Sequence, residues 1–440
     1  MFTYNNSEVL STNILSKMLN KYMNDVLPKL EHSYKYYNGK QKILAKHYDD
    51  PTKPCNKIVT NFCKNIVTSY LGYMAAPRHI TYQSDDDIEE ILNVLKYNDY
   101  NNADEQFLKD ALICGVSNEL MYVDADKTVR FANISPLNSF GVFSDDLTGN
   151  LNFFVRWYKE DEWSNNETYF VEVYDAKNVT KYRMLGFNGT LTLIDKAPHY
   201  FNQCPANVFY LEDEVGVFNC IEDLQDSYNI TLSNQVDDIS AFTNAYMVMS
   251  GSFDPETLDI SSMRKNRLIA MPEGTTVSWL TKDIQDTQVK ENLDRLQASI
   301  YRIAQCPDFS SESFVGGVSS GIAIQYRLTG METKAASIES SMKKALQRRI
   351  ELICGYIGML TGEEVWRDIN IIFSRNIPAD ENALATMVSQ LKGIISDETL
   401  LSQISFVADP KAEVEKVNKQ KKEQMSLYDF GLTNEGADEE

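Results

Sequence analysis

The sequence is poor in groups that do chemistry. It holds four histidines (His32, His47, His79 and His199), and no two of them stand at metal-ligand spacing. Its seven cysteines (Cys55, Cys63, Cys114, Cys204, Cys220, Cys306 and Cys354) form no C-x-x-C and total an odd number. That pattern argues against a zinc site or a disulfide framework and for reduced, mostly buried thiols. No G-x-x-x-x-G-K-[ST] occurs and no G-x-G-x-x-G follows a strand-like run, so the phosphate-cradling loops of ATPases and dinucleotide enzymes are missing. No cofactor is expected. No apolar run approaches the roughly 20 residues of a membrane span. The first residues, MFTYNNSEVLSTNILSKMLNK, lack the basic segment and apolar core of a signal peptide. A protein made in the cytoplasm, with no membrane partner, is expected.

Positive charge is also short. Lys and Arg number 42 against 63 Asp and Glu, a net charge of −21. A protein that grips DNA through counterion release shows a basic excess or stripe. Any contact with nucleic acid is therefore expected to be weak and sliding. The acidic pairs and triplets (Asp85–Asp87, Asp145-Asp146, Asp237-Asp238) raise a metal-dependent nuclease as one alternative. No histidine or third carboxylate stands in register with them, and helix starts attract Asp through the dipole. Solvated faces are the expected setting. Gly317–Gly321 spells G-x-S-x-G, the nucleophile elbow of α/β-hydrolases, whose histidine follows its serine; here the last histidine is His199. The match reads as a loop opening a helix, and no enzyme is expected.

What is present is helix, then strand, then helix, an α+β chain that is predominantly helical. At 440 residues it exceeds one compact core. Residues 8–30 carry helical spacing, broken at Pro28; residues 56–74 place Ile58, Phe62, Ile66, Val67 and Tyr70 on one stripe. Asp85–Leu95 and Asn101–Gly115 read as further helices. Between 119 and 210 the pattern alternates in short runs: ELMYVDA, TVRFANI, LNFFVRWY, TYFVEVYD, VTKYRMLGF and TLTLID. A mostly antiparallel region is expected, with Asn188-Gly189 supplying the positive φ of a type I′ turn. Ile221, Leu224, Tyr228, Leu232, Gln235, Ile239, Phe242 and Tyr246 mark a long helix ending near Gly251, and RLIAMP and TVSWLTK a small β insert. Val289, Leu293, Leu296, Ile300 and Ile303 mark another helix, stopped by Pro307.

Residues 308–320 (DFSSESFVGGVSS) are a loop by composition. A very long helix follows over 322–361, with Ile338, Met342, Leu346, Ile350, Ile353 and Ile357 on one side and Gly330 as a possible kink site. Helices are expected at 380–393, 397–404 and 410–428, the last opened by Asp409-Pro410, and a disordered acidic tail over 429–440. Lys343, Lys344, Arg348 and Arg349 form the one concentrated basic patch on a long helix. It reads as a solvated or intersubunit salt-bridged face, or as a contact with passing phosphate.

Several stretches resemble the SPP1-type portal proteins of siphophages. They are Asn56-Lys57-Ile58-Val59, Asn61-Phe62, Ile66-Val67 and Leu71-Gly72-Tyr73, then Pro77 and Ile80-Thr81-Tyr82. Cys306-Pro307-Asp308-Phe309-Ser310 follows, with Phe314-Val315-Gly316-Gly317 and Ser320-Gly321-Ile322-Ala323-Ile324-Gln325-Tyr326. Asn376-Ile377-Pro378-Ala379-Asp380 and Ile395-Ser396-Asp397-Glu398-Thr399-Leu400-Leu401 resemble the closing pattern. Order and rough spacing agree over about residues 30–425; Gly316-Gly317 departs from a Gly-Asn pair.

The resemblance implies a dodecameric ring at one capsid vertex, passing double-stranded DNA without reading its sequence. It implies a wing (1–220), a first stem helix (221–250), a clip (251–284) and a second stem helix (285–306). A tunnel loop (307–320), a long helix returning to the wing (321–378) and a crown (379–428) complete the plan. The tunnel-loop residues would be Phe309, Ser310, Ser313, Phe314, Gly316, Gly317, Ser319 and Ser320. Arg267 and Trp279 would serve a clip interface, although packing within the insert explains Trp279 equally well. Implied partners are the terminase large subunit, a head–tail adaptor, and major capsid and scaffolding proteins. Another head–tail adaptor or collar protein is the alternative.

Overall fold

The structure, a computed structural model, describes residues 2–5, 9–51, 53–75, 80–186, 189–243, 247–250, 268–271, 286–310, 321–361, 366–375, 386, 388–402, 413–414 and 416–421. The chain divides into two compact units. The first is Met1–Gly317 with Arg327–Asn376, and the second is Val318–Tyr326 with Ile377–Glu440.

The first unit opens with a short strand β1 (Phe2–Thr3) and helix α1 (Thr12–Lys21), whose N-cap Ser11 accepts from the Ile14 N–H. One π-helical stretch, Tyr22–Val26, joins α1 to α2 (Leu27–Tyr37). Pro28 does not break this helix. It sits in the first turn of α2, where its missing N–H costs nothing, and the π-turn before it absorbs the mismatch. Helix α3 spans Phe62–Met74 only, capped by Asn61, so the expected helical stretch over 56–61 is absent. Strand β2 (Ile80–Gln83) and helices α4 (Glu89–Tyr97) and α5 (Tyr100–Cys114) follow.

The β region comprises β3 (Val116–Val123), β4 (Val129–Ile134), β5 (Ser139–Phe143), β6 (Leu151–Lys159), β7 (Thr168–Tyr174), β8 (Asn178–Leu185), β9 (Thr192–Pro198) and β10 (Ala206–Tyr210). They form a six-stranded sheet in the order β1-β5-β6-β7-β8-β9 and a three-stranded sheet β10-β3-β4. Every pairing in them is antiparallel except β1 with β5. Phe154 of β6, Leu120 of β3 and Ala206 of β10 share one buried cluster. Gly115 ends α5 at φ +82°; a Cβ there would meet the Glu214 backbone at 2.3 Å, so only glycine fits. Strand β8 ends at Leu185 and β9 begins at Thr192, and among the described residues between them the positive φ belongs to Gly186 and not to the expected Gly189, where a Cβ would strike the Leu185 carbonyl oxygen at 2.1 Å. Asn188 lies outside the described residues.

Helix α6 (Glu222–Thr243) ends earlier than its apolar spacing suggests. Strand β11 (Met247–Ser250) takes the place of the last expected turns and pairs parallel with β12 (Leu268–Met271). The rest of the insert, including Arg267, Trp279 and the TVSWLTK run, lies outside the described residues. Helix α7 (Asp286–Ile303) packs on α6. Helix α8 (Gly321–Thr361) runs without interruption through Gly330, and Ile338, Met342, Leu346, Ile350 and Ile353 are buried as expected. Strand β13 (Asn370–Phe373) returns to pair with β2. In the second unit the described elements are the first turns of α8 and the short helix α9 (Asp397–Ser402). Of the expected helices at 380–393 and 410–428, residues 386, 388–391, 413–414 and 416–421 are described and helical, the remainder being mostly, and the tail entirely, outside the described residues. Among the described residues no helix is long and apolar enough to cross a membrane.

Candidate functional site

The four basic residues grouped in the sequence are divided by the structure. Ser341, Lys344, Arg348 and Glu351 follow one another at three- and four-residue steps, so one face of α8 carries all four. That face forms a wall of a cleft of ≈ 1460 Å³; the opposite walls come from the start of β6, the β7–β8 turn, Lys196 of β9, and β10. Lys343 is exposed and is not part of the lining. Arg348 donates through Nη1 to Gln203 Oε1 at 2.5 Å and Glu351 Oε2 at 2.8 Å, and through Nη2 to the Cys204 carbonyl at 3.3 Å. It is thereby held in place by two side chains and one carbonyl. Burial pushes the Cys204 thiol up to about 12, so it stays protonated and inert at neutral pH.

Arg349 corrects the sequence-based grouping. It is fully buried, and no phosphate can reach it. Its Nε and Nη2 donate to both Glu119 carboxylate oxygens at 3.0 and 2.8 Å, and its Nη1 donates to Asp104. The guanidinium also lies 4.5 Å from the Phe131 ring centroid. The signal was in the sequence: Arg349 falls three residues after Leu346 and four before Ile353, on the apolar stripe. Asn207 joins the network, donating to Glu119 at 3.4 Å and to the Ala345 carbonyl at 2.8 Å. The cluster thus ties α8 to α5, β3 and β10. Burial raises Asp104 to about 6, against the pull of Arg349.

A second polar system was missed by sequence reasoning. On α6 the buried residues Gln225, Asn229, Ser233 and Asp237 recur every four positions. They accept, in turn, the backbone N–H groups of Phe62 (2.9 Å), Thr60 (2.9 Å), Ile58 (3.0 Å) and Asn56 (2.6 Å). Four helical residues rise about 6 Å and two extended residues about 6.6 Å, so helix side chains can stand in for a neighbouring strand. Asp237 also takes Lys46 at 2.5 Å. It is therefore not on the solvated face expected of it, whereas Asp85–Asp87, Asp145 and Asp146 are exposed.

Of the loop residues, Phe309 and Ser310 are described. Phe309 is exposed, and Asp308 caps the turn by accepting from Ser310 N and Oγ at 3.0 and 2.6 Å while its other oxygen takes Gln297 of α7 at 2.8 Å. Ser313, Phe314, Gly316, Gly317, Ser319 and Ser320 lie outside the described residues. Among the described residues no group of three His, Cys, Asp or Glu side chains converges to hold a metal ion.

The chain matches the model of the family described as phage portal protein, SPP1 Gp6-like, over residues 17–427, and it belongs to that family. It is also 22% identical over 457 residues to the portal protein of Bacillus phage SPP1, covering 98% of this chain and 90% of that one. The chain is thus a phage portal protein, and its family is a structural one, not one of enzymes.

Proposed function

We propose that the chain is the subunit of a closed, dodecameric ring at one capsid vertex, through which double-stranded DNA is packaged and ejected. The observation that carries this reading is the family match over nearly the whole chain. In this assignment the helices, sheets and linkers up to residue 220 form the wing. Helices α6 and α7 form the stem, and the insert between them, with Arg267 and Trp279, forms the clip that docks the terminase large subunit and the head–tail adaptor. The order of helix, β insert and helix, with α6 packed on α7, supports it. Residues 307–320, from the exposed Phe309 through Ser310, Ser313, Phe314, Gly316, Gly317, Ser319 and Ser320, form the tunnel loop. Residues 379–428 form the crown.

The absent P-loop agrees with a motor ATPase supplied by the separate terminase. Assembly takes place in the host cytoplasm with scaffolding and major capsid proteins, and the product resides in the virion. The basic surface at Lys343, Lys344 and Arg348 meets either DNA phosphate or carboxylates of a neighbouring subunit. The test is assembly of procapsids with and without this chain. Procapsids containing it should carry a ring at one vertex and package DNA, and those without it should contain none. Equal packaging in both would contradict the assignment.

A further inference from the structure

In a chain with a net charge of −21, one cleft gathers cations: Lys177 on the β7–β8 turn, Lys196 on β9, and Lys344 with Arg348 on α8. The two acids in the same lining are already occupied. Asp175 Oδ1 accepts the backbone N–H groups of Lys177 and Asn178, each at 2.7 Å, and Glu351 holds Arg348 and Gln203. Among the described residues no carboxylate forms an ion pair with Lys177, Lys196 or Lys344. Three unpaired ammonium groups around one concavity attract an anionic surface, because a cleft focuses their field.

A second feature of the same face says what kind of surface. Strand β9, which carries Lys196, is the outer strand of the six-stranded sheet and is exposed at every position. One row of its N–H and C=O groups has no partner strand among the described residues, the Lys196 N–H donating instead to Asp195 Oδ1 at 2.8 Å, and Leu193, Ile194 and the adjoining Leu185 are exposed. An open edge with apolar side chains is a docking template unless something covers it, and Pro198 blunts only its end. A DNA phosphate backbone offers nothing to Leu193 and Ile194; a protein surface offers both apolar groups and carboxylates.

We propose that this face is an intersubunit surface: a second copy of this chain seats carboxylates in the cleft against Lys177, Lys196 and Lys344, beside the open edge of β9. The inference rests on the ring reading. A heterologous ring needs two different, complementary patches on one chain. The cleft is the basic one, and exposed acid such as Asp85–Asp87 is abundant on the rest of the surface.

The test uses the full chain in two ways. First, rings of mixed light and heavy-nitrogen protein are treated with a carbodiimide, which joins an amine to a touching carboxylate. Mass spectrometry should find peptides of mixed isotope in which Lys177, Lys196 or Lys344 is joined to an acidic residue of another copy. Second, the triple variant Lys177→Glu, Lys196→Glu, Lys344→Glu, confirmed as folded by circular dichroism, should assemble about tenfold more weakly or worse at low salt, since like charges then face each other. Wild-type rings should loosen as salt rises. Wild-type protein that forms no ring would sink the ring reading itself. Wild-type rings whose cleft lysines give only intrachain links, with triple-variant rings of full strength, would overturn this inference alone. So would intact triple-variant rings that have lost affinity for a DNA duplex, which would hand the cleft to DNA.

Discussion

At the scale of single residues, Arg349 joins α8 to α5 and β3 through buried charge. A lone buried guanidinium between two carboxylates is costly to desolvate, and it persists because three charge-assisted hydrogen bonds and an aromatic face satisfy it. Arg349→Met keeps the volume but leaves Glu119 and Asp104 facing each other unpaired. The variant is expected to lose ~3–5 kcal/mol of stability in urea unfolding. Asp104 behaves in the opposite sense. Its folded-state carboxyl titrates near 6, raised by burial above the ordinary 3.8. Between those values the folded state holds a proton that the unfolded chain has lost, so the share of stability due to Asp104 falls as pH rises through 6. Asp104→Asn should remove that slope between about pH 4 and pH 6 while keeping an acceptor for Arg349. An unchanged pH dependence in the variant would show that another group sets it.

At the scale of elements, the ladder on α6 does what a β-strand does elsewhere. Replacing Asn229 by Leu strips the Thr60 N–H of its acceptor and Gln41 of its donor in one step. The expected cost is roughly 2–4 kcal/mol, with faster amide exchange at Ile58, Thr60 and Phe62 and little change in α8. This ladder also marks where the sequence stopped being legible. The apolar stripe beginning Ile221, Leu224, Tyr228 located α6, but its deeply buried side is Gln225, Asn229, Ser233 and Asp237. Hydropathy ranks such residues as surface, and only the partner segment at 56–62 reveals why they are inside. Strands such as β4 were readable where side chains alternate between core and solvent, as in the opening residues of VRFANI. The short β5, β10 and β13 carry too few residues for a period to stand out. In α8, the cleft-facing Lys344 and Arg348 were legible as a patch, but assigning Arg349 to the core required the register of the buried stripe.

At the scale of the whole molecule, charge and family membership meet in one account. A surface at −21 repels DNA phosphate and keeps a translocating duplex from sticking, which suits a conduit better than a binder. In the proposed ring, the same excess of acid gives neighbouring copies carboxylates to set against the cationic cleft. On the intersubunit proposal, specific and closed association comes from geometry: one patch of each kind per chain, repeated by rotation. The measurement that tests this most directly is native mass spectrometry of the purified chain with electron microscopy of the same sample. The account predicts a single closed oligomer of fixed subunit number, seen end-on as a ring with a central hole. A species that stays monomeric at micromolar concentration and shows no ring under any salt condition would contradict it.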